Sequence, residues 1–154
     1  MTAPMSKPVP TFDRIADFAL DRAPGDIPAS TLEAAALMAL DTLGIVAAAG
    51  PMEAGVIARQ TASLLYGSSD PGHSARMMFD GRSVSLAGAA FAAATQTDNL
   101  DGHDGYNPTK GHIGVVVIPT LATLAQHLPD LTGPEALTAI TVGYEVAGRA
   151  GIAL

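Results

Sequence analysis

The hydrophobic positions along the chain recur at helical spacing over most of its length. Between 28 and 49, apolar residues three or four positions apart form one stripe, which consists of Leu32, Ala36, Leu40, Leu43 and Val46. Ser30 and Glu33 have the spacing of a capping box at the start of that helix. The same kind of pattern predicts helices from Thr11 to a break at 23–26, and over about 28–49, 52–66, 86–97, 113–126 and 134–154, the fifth of them bent near Pro119.

A short stretch between the third and fourth predicted helices has a different pattern. Arg76–Phe79 and Arg82–Ser85 flank Asp80-Gly81, a pair that is typical of a two-residue type I′ turn. We expect a small β-hairpin near 76–85 rather than a full sheet. The sequence therefore predicts an all-α fold with one short hairpin.

The two ends of the chain differ from its middle. Residues 1–10 hold three prolines and predict a flexible N-terminal arm, which leaves 11–154 as the helical domain. The chain stops at 151–154 inside an apolar helical pattern, without a C-cap. We therefore expect 11–154 to be the N-terminal part of a helical domain truncated from a longer enzyme; the alternative is a natural C-terminal helix docked on the core.

Composition and charge argue against several kinds of binding partner and site. The net charge of −7 argues against a broad nucleic-acid interface and against an anionic membrane surface. Glu33, Asp41 and Pro119 interrupt the longest apolar tracts, so we expect no membrane span. The absence of cysteine excludes disulfides, thiolate metal sites and a cysteine nucleophile, and it fits a cytoplasmic protein.

Titratable residues concentrate in one polar segment, 98–114, between two apolar helices. The segment holds three aspartates, two of the four histidines and one of the two lysines. Each of them has an ordinary explanation by itself, as a turn residue, a solvated loop histidine, a surface lysine or a helix-start residue. Their density in a chain with few charges nevertheless favours a site.

His112 is the strongest candidate for moving a proton. It lies at the start of a predicted helix, whose positive end disfavours imidazolium and favours a neutral imidazole that takes a proton from carbon. Lys110 and the backbone N–H groups around Gly111 and Gly114 would hold a carboxylate at the same helix start.

A divalent-metal site is the second interpretation of this segment, and it would make the protein a metal-dependent hydrolase. The possible ligands within 98–112 are Asp98, Asp101, His103, Asp104 and His112. Their spacing matches neither an HExxH motif nor an EF-hand loop, and the chain contains no G-x-S-x-G, Walker A or Rossmann motif.

Four stretches together resemble the MmgE/PrpD family. They are Leu40-Asp41-Thr42-Leu43-Gly44, the alanine-rich run into Asp98, the segment 98–114, and Gly143-Tyr144-Glu145-Val146-Ala147-Gly148-Arg149. Their order and spacing resemble the N-terminal third of that family, which includes 2-methylcitrate dehydratases, cis-aconitate decarboxylases and iminodisuccinate epimerases.

The resemblance implies a large helical domain plus a smaller α+β domain, usually in a homodimer. It implies a lyase or isomerase that transfers a proton at a carbon next to a carboxylate in a small di- or tricarboxylate. It also implies chemistry without a metal or an iron–sulfur cluster, and hence no cofactor. A non-catalytic helical domain that only assembles with another chain remains an alternative.

The resemblance also implies roles for individual residues. The family places an active-site Asp at the start of the acidic segment and a His after it, and these map onto Asp98 and His112. We assign four further residues of the segment to substrate binding, namely Lys110, Asp101, His103 and Gly111. Several members have an Asp-Asp-Thr run where this chain has 101–105, Asp-Gly-His-Asp-Gly, so the threonine role is unassigned and the substrate stays open. The family's later site residues, a His, a Lys and a Tyr, lie beyond this chain.

Overall fold

The computed structural model describes residues 10–154, and six α-helices make up most of that part. The helices are α1 (Thr11–Leu20), α2 (Ala29–Ala49), α3 (Glu53–Leu65), α4 (Leu86–Leu100), α5 (Gly114–Leu124) and α6 (Gly133–Ala153). Two strands, β1 (Ser74–Arg76) and β2 (Ser83–Ser85), pair antiparallel. The all-α fold with one short hairpin is confirmed. The predicted arm lies outside the described residues, apart from Pro10.

Helix α4 lies at the centre of the fold because its small side chains let several elements approach it. It packs against α2, α3, α5 and the hairpin. Its inner face consists of Gly88, Ala89, Ala92, Ala93, Gln96 and Thr97, all buried. One apolar cluster joins α3, α4 and the hairpin, and a second joins α2, α5 and α6 through Ala35, Ile118 and Ile140.

The buried face of α2 differs from the predicted stripe. The buried residues are Ala35, Thr42, Val46 and Ala49, whereas Leu40 is 68% exposed. The stripe prediction was therefore wrong except at Val46 and the half-buried Leu32 and Leu43. The small residues form the close contacts with α4 and α6, and the larger leucine points away from them.

One local prediction about the end of an element was also wrong. Helix α2 begins after Pro28 and has no side-chain cap, so Ser30 and Glu33 do not form a capping box. The structure has a capping box at the start of α6, where Thr132 and Glu135 bond each other's backbone N–H groups.

The turn of the hairpin is longer than the predicted two-residue turn. Phe79 and Gly81 have positive φ angles, of 57° and 84°, and the N–H of Met77 donates to the carbonyl of Arg82 at 2.9 Å. The side chain of Asp80 is not free in the turn, because its carboxylate accepts hydrogen bonds from Arg59 and Arg82. These bonds hold the loop in its wider conformation.

A polar network crosses the interior beside α4. Gln96, 1% exposed, donates to the carbonyl of Val46 and accepts from Arg59. Arg59 also donates to the carbonyl of Gly50 at 2.8 Å and to Asp80 at 3.1 Å. The hydrogen bond from Arg82 and the charge of Arg59 lower the pKa of Asp80 to about 2. One arginine thus connects the α2–α3 turn, α4 and the hairpin.

Helix α2 is also long and apolar enough to cross a membrane, by length and composition alone. Its most apolar window has a mean hydropathy of 1.7, and 22% of that window is buried. In residues 10–154 it is the one helix that meets this test. A single such helix near the N-terminus is weak evidence, because core helices pass the same test.

We expect Arg59→Met to lower the free energy of unfolding by about 2–3 kcal/mol, because Gln96 would lose a charged donor while it stays buried. Thermal or urea denaturation measures the change. Arg14→Met, at an exposed position of α1, is the matched control and should change stability by less than about 0.5 kcal/mol. Equal effects of the two substitutions would contradict the role of the network.

Candidate active site

The polar segment is held between the end of α4 and the start of α5. Asp101 ends α4 in the left-handed conformation, with a φ of 51°. The Tyr106 N–H donates to the carbonyl of Gly111 at 3.0 Å, which closes a short loop. A side chain at Gly102 would lie 2.9 Å from the Ile45 methyl group, so α2 packs directly on the segment. The segment is thus anchored on three helices.

His112 is oriented by a backbone contact within the segment. Its Nδ1 lies 2.7 Å from the carbonyl oxygen of Asp104. Because a carbonyl oxygen only accepts, Nδ1 carries the hydrogen, and in the neutral ring Nε2 is left with the lone pair. Nε2 lies 3.3 Å from Oδ1 of Asp101, whose side chain is largely exposed. The ring therefore presents a proton-accepting atom beside a carboxylate.

His112 lies two residues before α5, at the helix start where the sequence placed it. The ring lies between the Asp104 carbonyl on its Nδ1 side and the Asp101 carboxylate on its Nε2 side. Both ring nitrogens therefore have a polar neighbour, and the two contacts orient the ring.

The Asp104 carboxylate contacts the first residue of α5. Its Oδ2 accepts from the N–H of Gly114 at 3.3 Å. A Cβ at Gly114 would overlap Asp104 Oδ1 and the hydroxyl of Tyr144, so only glycine fits there. A carboxylate at a helix N-terminus is favourable, since it accepts an unpaired N–H and faces the positive end of the dipole. Sequence reasoning missed this contact, because Asp104 lies ten residues before Gly114 and outside any capping motif.

Tyr144 of α6 covers the other side of the same carboxylate. Burial and, after it, the charge of Asp104 raise the pKa of the Tyr144 hydroxyl well above its usual range. The hydroxyl therefore keeps its proton. Within residues 10–154, the Tyr144 hydroxyl and Asp104 Oδ1 are buried and make no hydrogen bond of standard geometry, although both lie against Gly114. A donor and an acceptor are thus adjacent, with no competing partner.

His103 packs against His112 in the interior. It is 7% exposed, and its ring centroid lies 4.2 Å from that of His112. Neither ring nitrogen of His103 has a hydrogen-bond partner among the described residues. The structure brings His103, His112 and Asp101 together, and the substrate-binding role of His103 stays a prediction.

Of the remaining predicted site residues, Asp98 and Lys110 are exposed and Gly111 is half-buried. Asp98 lies on the last turn of α4, and Lys110 ends the short turn before Gly111 with a φ of 50°. No hydrogen bond or ion pair in the described part of the chain joins either side chain to His112. The roles predicted for Asp98, Lys110 and Gly111 would therefore come from direct contacts with a substrate, and they stay predictions.

An open cavity of about 390 Å³ lies next to the segment, between it and α6. Its polar lining includes Asp104, Tyr106, Tyr144, Glu145 and Arg149. Gly105 also lines it, and a Cβ there would lie 3.9 Å from Cε1 of His112. The His112 ring is thus one residue away from a space large enough for a small acid.

The candidate metal ligands do not form a ligand set. Over residues 10–154, no three His, Asp or Glu side chains lie close enough together to hold a metal ion. The metal-dependent hydrolase therefore has no geometric support in this part of the chain.

A comparison with protein families identifies the family of the chain. Residues 13–154 match the MmgE/PrpD N-terminal domain. The chain belongs to the MmgE/PrpD family, which is of the dehydratase and isomerase type. The resemblance and the N-terminal position predicted for the chain are confirmed. Searches of curated proteins and of solved structures gave no significant match.

Gly114→Ala should destabilise the protein by about 1–3 kcal/mol, because the new methyl group overlaps Asp104 and Tyr144. Thermal denaturation measures the loss. Gly133→Ala is the matched control, since Gly133 is also the first residue of a helix and has open space around it. The control should be neutral or slightly stabilising; similar losses at both positions would contradict the close contact at Gly114.

Proposed function

We propose that the complete protein is a lyase or isomerase that moves a proton at a carbon next to a carboxylate in a small di- or tricarboxylic acid, as a 2-methylcitrate dehydratase does. The family membership supports the reaction class. The observation that carries the proposal is the orientation of His112, whose Nδ1 is held by the Asp104 carbonyl while Nε2 is left to accept a proton.

His112 is the proton-transfer group in this proposal. Neutral His112 takes a proton through Nε2 from the carbon next to the substrate carboxylate, and the electron pair of the broken C–H bond stays on that carbon. The imidazolium so formed is stabilised by Asp101, 3.3 Å from Nε2. A dehydratase then expels a β-hydroxyl group, and an epimerase returns a proton to the other face. A decarboxylase forms the same carbanion by losing CO₂; His112 then starts the cycle as the imidazolium and donates its proton to that carbon.

Substrate binding requires positive groups in a strongly acidic chain. Lys110 and the backbone around Gly111 supply them just before the start of α5. The first N–H of α5 is not available to a substrate, because it donates to Asp104. Asp98 orients the reacting groups, and Asp101 and His103 complete the site around His112. The neighbouring cavity gives room for the remainder of the acid.

The same proposal includes the assembly of the protein. The chain is the N-terminal part of the helical domain of a longer, cytoplasmic enzyme that works as a homodimer without a cofactor. Leu37 and Leu40 of α2 are each more than two-thirds exposed. An apolar surface of this kind supports the proposal that another part of the assembled enzyme covers α2.

In the complete protein, His112→Ala should lower kcat on the preferred acid by at least about 100-fold, because general-base catalysis contributes about that much. Steady-state kinetics on a panel of citrate-like acids measures the loss. His73→Ala is the matched control, since His73 is exposed and its ring bonds to Asp70 alone among residues 10–154; the kcat of this variant should not change. Unchanged turnover of the His112 variant would show that another group moves the proton.

A further inference from the structure

We propose that Asp104 and Tyr144 form a positioning pair that fixes His112 in the tautomer with hydrogen on Nδ1. Neither residue is expected to touch the reacting carbon. Only the catalytic consequence of this inference rests on the proposed function, because the tautomer itself is a property of the protein without substrate.

The carbonyl that selects the His112 tautomer must itself be held in place. The only group that holds Nδ1 of His112 among the described residues is the backbone carbonyl of Asp104, at 2.7 Å. A backbone carbonyl keeps its direction only if the peptide around it is fixed. Asp104 lies in a segment without regular secondary structure, so the peptide is not fixed by a helix or strand.

The side chain of Asp104 provides that constraint. Oδ2 is bound to the first N–H of α5 and Oδ1 is buried beside Tyr144 of α6. One carboxylate therefore ties the peptide to two helices that pack against each other. The carbonyl of the same residue is then directed at the His112 ring.

Tyr144 is the natural donor for Oδ1. Its uncharged hydroxyl lies beside Oδ1, a buried carboxylate oxygen that accepts no other hydrogen bond in the described part of the chain. The charge of Asp41 on α2 also raises the pKa of this hydroxyl, after burial and Asp104. Without the hydroxyl, Oδ1 would be buried with no donor nearby, which favours rotation of the carboxylate toward solvent. That rotation would release the peptide and the His112 ring.

The test is the ¹⁵N NMR spectrum of the histidine rings in the complete protein at a pH where His112 is neutral. The His112 signals are identified by their loss in His112→Gln. We expect the wild type to carry hydrogen on Nδ1, and Tyr144→Phe, which keeps the packed ring, to shift the ring toward hydrogen on Nε2. Tyr106→Phe, a half-exposed tyrosine in the same cavity, should leave the tautomer unchanged.

Kinetics give a second readout. Tyr144→Phe should lower kcat by about 10-fold to 100-fold with little change in KM, since a misplaced base costs that much. A wild-type His112 with hydrogen on Nε2, or a Tyr144→Phe spectrum identical to that of the wild type, would overturn the proposal. An inactive protein with the expected tautomer would contradict the proposed function alone.

A second pair of variants covers the case in which Tyr144→Phe does not fold. Asp104→Asn retains an oxygen for the Gly114 N–H and an amide group for the Tyr144 oxygen, so it should keep the Nδ1 tautomer. Asp104→Ala loses both contacts and should lose the tautomer. Retention of the tautomer in Asp104→Ala would show that the carboxylate does not position His112.

Discussion

The contact between Asp104 and the start of α5 is the constraint on which the candidate site depends. One residue accepts the first N–H of α5 with its carboxylate and holds Nδ1 of His112 with its carbonyl. The absence of a side chain at Gly114 makes both contacts possible, because any Cβ would fill the space that Asp104 and Tyr144 occupy. The position of His112 is therefore tied to the packing of α5 on α6.

The helical scaffold supports that contact through small side chains. The buried alanines of α4 allow α2, α3 and α5 to approach it closely. The Arg59–Gln96 network then fixes the turn after α2 and the hairpin against the same helix. Since Asp101 ends α4 and Gly114 begins α5, the packing of these two helices determines the positions of both ends of the polar segment. A rigid scaffold with an irregular connecting segment is a common arrangement for a site.

Local patterns in the sequence were sufficient to predict the helices and the hairpin, and they singled out the segment that holds the candidate site. Helical periodicity, Gly and Pro breaks and the density of titratable residues in 98–114 each act over a few residues. The family match supports the same N-terminal helical domain. The buried face of α2 was missed because burial there follows the small residues that neighbouring helices contact, and hydrophobicity alone favoured Leu40.

The contacts that position His112 could not be predicted in the same way. Gly114 lies ten residues after Asp104, and Tyr144 lies forty residues after it on another helix. Gly114 and Tyr144 were visible in the sequence as parts of family-like stretches, but nothing local assigned them to one carboxylate. The burial of His103 against the His112 ring likewise depends on tertiary packing.

The proposed function requires that His112 transfers a proton at the carbon next to a carboxylate. Hydrogen–deuterium exchange at that carbon measures this step. The complete protein is incubated in D₂O with a panel of small di- and tricarboxylic acids, and the loss of the C–H signal next to a carboxylate is followed by ¹H NMR. The wild type should exchange or turn over at least one acid, and His112→Ala should lose this activity. Equal exchange rates in the wild type and in His112→Ala would contradict the proposed function.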